Sequence, residues 1–429
     1  MQRASSNKLL IISYPFPPIP YSGTYRIMRM CKGLVRLGVE VHVLTINIDP
    51  RIPNDFELLK KLPKEVMVHR TAIIDPWLSY QRWLKSGANK KRGSPAKRVL
   101  PLFMRLITIP DHQIFWVPIV VRQGLHIIKD HRIKNVLVTS PPVSSLVSGI
   151  LLKKLADIRF LADLRDPIVG NVAQVNLLNP RDPISRFEKR LLGFIEQSVV
   201  NKADVVIANT ETHREELSKK YQRNNMKCIY NCFDEDDYKG IDRKKYRKFT
   251  IAHVGSMYGL RRPDVLFQAI KRLEKKYSPA ELELQILFVG MVDQKLKDIV
   301  SEYGIERYVK FLGMVPHKKA IEIMVRSHLL LLIKAAGKDG YGQIPAKFFE
   351  YLGTGNKILL IGPKETEAAG ILAKLGCGAC FEDDASKLYQ FVHDEYLVHT
   401  NSTGSPYLTS VINVFNYHAM GNKIAGLFR

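Results

Sequence analysis

The chain reads as an α/β protein of two Rossmann-like domains. Short apolar runs alternate with stretches of helical periodicity over most of its length, the pattern of parallel βαβ units. The alternation comes as two consecutive series. The length, 429 residues, suits two domains of ordinary size.

In the first series KLLIIS, residues 8–13, is a strand, and the proline-rich YPFPPIPYS that follows is a loop. Helical periodicity runs over 23–37 and stops at Gly38; VEVHVLT, 39–45, is the second strand. NVLVTS (135–140), RFLADL (159–164) and ADVVIAN (203–209) are further strands. After KCIYNCFDEDD the second series opens with the strand TIAHVGS, 250–256, and a helix over 263–275. Strands LQILFVG (284–290) and VKFLGMV (309–315), a helix over 318–326, and the strand HLLLLIK (328–334) continue it. The boundary falls near Cys232, giving domains 1–230 and 231–408, with a terminal helix in 409–429. Neither series carries GxGxxG, which disfavours an ordinary NAD enzyme, and no repeat of solenoid period is present.

Composition narrows the class. With 46% hydrophobic and 25% charged residues the chain can bury a core and is not disordered. No apolar run reaches the roughly 18 residues of a membrane span, and LLIIS is too short for a signal-peptide core, so the expected compartment is the cytoplasm. The five cysteines, an odd number, argue against a disulfide framework. CGAC and CIYNC have the look of zinc half-sites, but both flank apolar runs and read better as buried thiols. Lys and Arg outnumber Asp and Glu by 37 to 18 before residue 229 and by 28 to 23 after it. The first domain therefore faces, or tolerates, an anionic partner. Residues 85–98 carry six cations and no acid, and VLPLFMRLITIP follows directly. A basic run joined to an apolar one can lie on an anionic membrane; it can equally be a surface loop leading into a core helix.

The stretch IPAKFFEYLGTGNKILLIG, residues 344–362, is the most informative in the chain. Pro345 suits a first helical turn, Lys347 and Glu350 share a helix face, Gly353 and Gly355 end the helix, and KILLIG is a buried parallel strand. A cation at a helix N-terminus can hold phosphate, and a carboxylate one turn on can accept hydrogen bonds from ribose hydroxyls. HVGSMYGLRRPD offers a second phosphate site: a strand ending at Gly255 and Ser256, a tight loop, and Arg261 and Arg262 at a helix start.

These motifs resemble those of GT-B-fold glycosyltransferases of family 4, the large retaining group. KLLIISYPFPPIPYSGTYRIMRMCKGLVRLGVEVHVLT is similar to that family's first βαβ unit. TSPPVSS, LADLRDP, ADVVIANTE and IYNCFDEDD resemble its later first-domain landmarks, and HVGSMYGLRRPDVLFQAI, LGMVPH and IPAKFFEYLGTG its donor half. The resemblance implies a cleft between the domains, a C-terminal helix crossing back to the first domain, and a nucleotide diphosphate sugar held on the second. It implies that Glu350 binds ribose, that Arg261 and Lys347 contact the diphosphate with help from Arg262, and that the backbone of Met314 and Pro316 meets the base. Gly255, Ser256, Gly342, Gln343, Ile344 and Pro345 would complete the donor site, with Gly23 admitting the sugar phosphate to the first-domain backbone. No cofactor is implied and no metal, since fixed cations can stabilise the departing nucleotide.

The sequence departs from the family pattern at three positions. Gly342 stands where a second Glu is frequent, Ser256 where Arg is frequent, and Val143 where His is frequent. Sugar contacts then fall to the backbone of residues 340–344, and Lys347 and Arg262 carry more of the leaving-group charge. Asp163, Arg165 and Asp166 follow a strand, where α/β sites occur, and read as acceptor-side or cleft-lining residues; the alternative is a helix cap with a structural ion pair. Asp111 and Trp116 lie in another landmark, PDHQIFWVP, and sequence assigns them no chemistry. The expected function is retaining transfer of a sugar to a glycan or lipid-linked acceptor in surface polysaccharide synthesis, with the first domain at an anionic membrane surface. A nucleotide-sugar epimerase and a catalytically silent binding protein are the alternatives. Nucleic acid is not an expected partner, because no helix-turn-helix, zinc finger or aromatic RNA-binding signature accompanies the charge.

Overall fold

The computed structural model describes residues 7–49, 52–74, 76, 103–169, 182–257, 262–278, 281–334, 342–400 and 412–428. It divides into two compact units, residues 1–230 with 418–429, and residues 231–417.

The first unit is built on a seven-stranded parallel sheet in the order β3-β2-β1-β4-β5-β6-β7. Its strands are β1 Lys8–Ile12, β2 Glu40–Ile46, β3 Met67–Thr71, β4 Asn135–Ser140, β5 Arg159–Leu164, β6 Val205–Ala208 and β7 Met226–Cys228. The central strands are buried along nearly their whole length, as expected where helices cover both faces of a parallel sheet. Strand order reverses between β1 and β4, which puts a crevice at their carboxyl ends. The helix Ser22–Arg36 leaves β1 through the proline-rich loop and buries Ile27, Met28, Met30, Cys31 and Leu34. The helix Val143–Leu155 starts after Pro142, which offers no side-chain cap. Asp111 supplies that cap from elsewhere: it accepts hydrogen bonds from Ser144 N (3.0 Å) and Ser144 Oγ (2.5 Å). Trp116, 1% exposed, donates to Thr71 Oγ1 at 2.8 Å and meets Tyr14 edge-to-face. Both residues of this landmark thus have a structural role.

The second unit has a six-stranded parallel sheet in the order β10-β9-β8-β11-β12-β13. Its strands are β8 Phe249–Val254, β9 Leu284–Val289, β10 Val309–Gly313, β11 Leu329–Ile333, β12 Lys357–Ile361 and β13 Gly378–Phe381. Here strand order reverses between β8 and β11. The helices Asp264–Lys276, His317–Arg326 and Ala346–Thr354 follow β8, β10 and β11.

The outer strands β3, β7 and β13 have no counterpart in the sequence reading. MVHRT and MKC are short and partly polar, and GACF is only four small-to-apolar residues, so none has the apolar run that marks a buried strand. The 20-residue helix Pro183–Lys202 is also new; its N-cap Asp182 accepts from the N–H groups of Ile184 and Ser185. All five cysteines are free thiols. Burial pushes those of Cys377 and Cys380 up to about 11, so they are protonated, unreactive side chains at neutral pH.

Candidate functional site

In the second unit the helix Ala346–Thr354 is locked in place by its buried face. Phe348, Phe349, Tyr351 and Leu352 pack inward. Tyr351 Oη accepts from Val254 N at 2.8 Å, which ties the helix to the carboxyl end of β8. Tyr238 Oη donates to the Glu350 carbonyl at 2.7 Å. Lys347 and Glu350, half-buried, are left on the remaining face.

Lys347 reaches the turn after β8. A Cβ on Gly255 would stand 2.5 Å from Lys347 Nζ, and Gly255 itself has φ +127°. Only glycine combines that backbone conformation with that close approach. Lys347 Nζ also lies 3.2 Å from His253 Nε2. His253 is fully buried, and its Nδ1 is 3.0 Å from the Leu331 carbonyl. A carbonyl only accepts, so Nδ1 carries the proton and Nε2 offers a lone pair to the ammonium. His253 therefore positions Lys347 without cancelling its charge, as a carboxylate there would.

Glu350 Oε1 lies 3.7 Å from His317 Nε2. His317 opens the helix whose N-cap is Pro316, so the loop carrying Met314 and Pro316 meets the Glu350 end of the site. Met314 is 71% exposed. Gln343, Ile344 and Pro345 lead into the Lys347 helix, with Ile344 buried. Lys334, at the end of β11, donates to the Gln343 carbonyl at 2.6 Å and fixes this loop. Burial lowers the Lys334 pKa to about 8. Gly342 and Ser256 are both half-buried beside these elements.

Arg262 is paired locally. Its guanidinium makes two hydrogen bonds to Asp264, at 2.9 and 2.8 Å, and is more than half exposed. Asp264, in the first turn of the following helix, engages it; the expected share of the leaving-group charge is a matter for the proposed function. Arg261 lies outside the described residues, as do residues 85–98 and 340–341.

In the first unit, the expected acceptor-side trio separates. Asp163 is fully buried. It accepts from Arg26 Nε (3.1 Å), Arg26 Nη2 (2.8 Å) and Thr139 Oγ1 (2.8 Å). Its two carboxylate oxygens are enclosed by these partners, so the acceptor-side expectation for Asp163 gives way to a structural ion pair. Arg165 approaches Gly23 closely: a Cβ on Gly23 would stand 1.9 Å from Arg165 Nη1. Gly23 and Arg165, from separate motifs, thus meet where the helix Ser22–Arg36 begins. Asp166 lies 3.6 Å from the other side of that guanidinium.

Sequence reasoning missed His253 and His317. The available signal was a lone histidine inside an apolar strand, and another just after the Pro316 helix start. Neither spacing reveals that a lysine and a glutamate from residues 346–354 meet them.

Residues 23–232 match the glycosyl transferase 4-like domain. The first half of the chain therefore carries a glycosyl transferase 4-like domain, and the fold is of the GT-B type. Solved structures share its fold over nearly their whole length. One is sucrose-phosphate synthase from Thermosynechococcus elongatus, 13% identical, covering 99% of this chain and 98% of that one, with a TM-score of 0.64. Another is a variant of TarM from S. aureus with Fondaparinux, alpha-GlcNAc-glycerol and UDP, 12% identical, covering 99% and 100%, TM-score 0.61. A third is Anabaena Alr3699/HepE in complex with UDP-glucose, 15% identical, covering 98% of each chain, TM-score 0.58. No curated protein sequence matches the chain. In this fold the Lys347, His253 and Gly255 cluster sits at the carboxyl ends of the second sheet, where open α/β sheets bind their ligands.

Proposed function

We propose that this chain is a glycosyltransferase, specifically a retaining, metal-independent hexosyltransferase. It takes a nucleotide diphosphate sugar as donor and a glycan or lipid-linked acceptor, and it serves surface polysaccharide synthesis on the cytoplasmic side of the membrane. The observation that carries the donor assignment is Lys347 held by the neutral face of His253 above the Gly255 turn. An intact ammonium, backbone N–H groups and a helix N-terminus at one point suit the β-phosphate of a departing nucleotide.

Chemically, the bond between the anomeric carbon and the diphosphate oxygen breaks. The acceptor hydroxyl forms the new glycosidic bond on the same face, and its proton leaves with the diphosphate. Lys347 and Arg261 meet the growing negative charge, and Glu350 accepts hydrogen bonds from the ribose hydroxyls. Gly342 lacks a side chain for the sugar, so its contacts come from the backbone of the 342–345 loop.

TarM and HepE were crystallised with UDP and UDP-glucose, which makes a uridine diphosphate sugar the first donor to try. The test is donor hydrolysis without acceptor across a panel of nucleotide sugars, followed by NMR of the transferred anomer in EDTA. Turnover with retained configuration supports the reading. Binding of donor without turnover of any of them would favour a silent binding protein, and inversion or a strict divalent requirement would refute the mechanism. The basic segment 85–98 supports a peripheral membrane role; among the described residues no helix is long and apolar enough to cross a membrane.

A further inference from the structure

We propose that His42, His69 and His131 bind a single transition-metal ion of the zinc class, as a structural clip at one edge of the first sheet. The three come from β2, β3 and the last residue of the helix Val117–His131. One ring nitrogen from each lies within 4.8 Å of those of the other two. His42 Nδ1 and His69 Nε2 are 2.9 Å apart. The His42 ring lies 4.2 Å from that of His131 and 5.2 Å from that of His69, centroid to centroid. A tetrahedral ion with bonds of about 2.0–2.1 Å holds its ligand atoms about 3.4 Å apart, which small rotations of these rings reach.

Two further features point to a cation rather than to packing alone. Glu40 Oε1 lies 3.1 Å from His42 Nε2 and 2.9 Å from Lys8 Nζ. Accepting from Nε2–H, Glu40 fixes the tautomer that leaves the His42 Nδ1 lone pair facing the cluster. This is the carboxylate-to-imidazole support that ligating histidines use. His131 ends a 15-residue helix, whose carbonyl pole favours a cation. Among the described residues His131 joins the cluster by ring packing and not by a hydrogen bond.

Imidazole donors select zinc, copper or nickel over magnesium and calcium. The site lies away from the transfer chemistry: His131 is followed by the turn into the amino end of β4, whereas ligands of such sheets gather at carboxyl ends. Bound metal would tie the edge strand β3 to β2 and to the covering helix, closing chain loops between residues 42, 69 and 131.

The test uses the full chain, stripped by chelator and titrated with Zn²⁺ against a chromogenic competitor, with Co²⁺ as a spectroscopic probe. The expected results are one equivalent bound, a tetrahedral visible Co²⁺ spectrum, and a zinc-dependent rise in melting temperature. Glu40→Gln should weaken binding by roughly 10- to 100-fold, the range for loss of a carboxylate that orients a ligand. His131→Ala, at a half-exposed helix end, should abolish the spectrum and the thermal shift while keeping native far-UV circular dichroism. Should His42→Ala fail to fold, His131→Ala still decides. His126, exposed beside Asp130, is the control for adventitious surface binding. Wild-type binding that survives in His131→Ala, or is lost in His126→Ala instead, would overturn the proposal, as would no binding at one equivalent.

Discussion

Asp163→Asn tests whether the first-domain carboxylate in ADLRDP holds the fold or a substrate. The side chains of Arg26 and Asp163 are 1% and 0% exposed. Two hydrogen bonds join them, Thr139 donates a third to Asp163, and Arg26 Nη2 donates also to the Ile229 carbonyl at 2.9 Å. Asparagine preserves the shape, but it removes the charge and places an N–H₂ donor against a guanidinium that has only donors. An exposed pair would cost at most about 1 kcal/mol to break. Removing one partner of a buried pair costs about 3–5 kcal/mol, because the other charge is stranded away from water. Trp77, Trp83 and Trp116 all precede residue 231, so tryptophan fluorescence reports unfolding of this domain alone. With a urea slope near 3 kcal/mol/M, the upper end for a single domain, the midpoint should fall by about 1–1.7 M. Arg26→Met with Asp163→Leu should recover much of that loss. A midpoint lowered by less than about 0.3 M, with transfer activity abolished, would refute the structural assignment and restore the acceptor-side one.

Lys347→Ala should weaken nucleotide diphosphate binding by roughly 1.5–3 kcal/mol, the worth of a charge-assisted contact, and leave nucleoside binding unchanged; His253→Phe should give a smaller loss of the same selectivity, and calorimetric titration showing neither loss would sink the phosphate assignment. Glu350→Gln should impair a ribonucleotide donor more than its 2′-deoxy analogue, where one contact is already missing; equal effects on kcat/KM for both donors would make Glu350 a structural residue. The second domain should lose stability in mild acid. Burial lowers the pKa of His328 to about 3, and its Nδ1 already accepts from Thr250 N at 3.0 Å, so a second ring proton would face a donor. The unfolded chain takes up that proton first, near pH 6.5; stability is therefore complete above that pH, declines toward pH 3, and is down by about 2 kcal/mol at pH 5. Hydrogen exchange in Phe249–Val254 across that range measures it, and an unchanged slope in His328→Leu would assign the effect elsewhere. Neutralising Lys90, Lys91 and Arg92 should release the chain from acidic vesicles in a salt-dependent way, each cation contributing on the order of 1 kcal/mol; failure of the unaltered protein to co-sediment at low salt would remove the membrane role.

Local chemistry made most of the architecture legible in the sequence. Apolar runs such as KLLIIS and HLLLLIK are buried parallel strands because only a covered sheet accommodates them. The Pro345 start and Gly355 end of IPAKFFEYLGTG delimit a helix whatever surrounds it, and the spacing of Lys347 and Glu350 places them on one face of it. Outer strands such as MVHRT were not legible, since their pairing comes from a neighbour rather than from their own composition. The sequence by itself determined two α/β units, a glycine turn and a cationic helix start. Tertiary structure alone decided how each charge is partnered. It turned Asp163 inward to Arg26 and engaged Arg262 with Asp264. It set Lys347 on a neutral His253 94 residues away, and gathered His42, His69 and His131 from three separate elements. The physical reason is range: backbone preference and hydrophobic period act within a few residues, whereas the state and partner of a charge depend on what folding brings within about 4 Å of it.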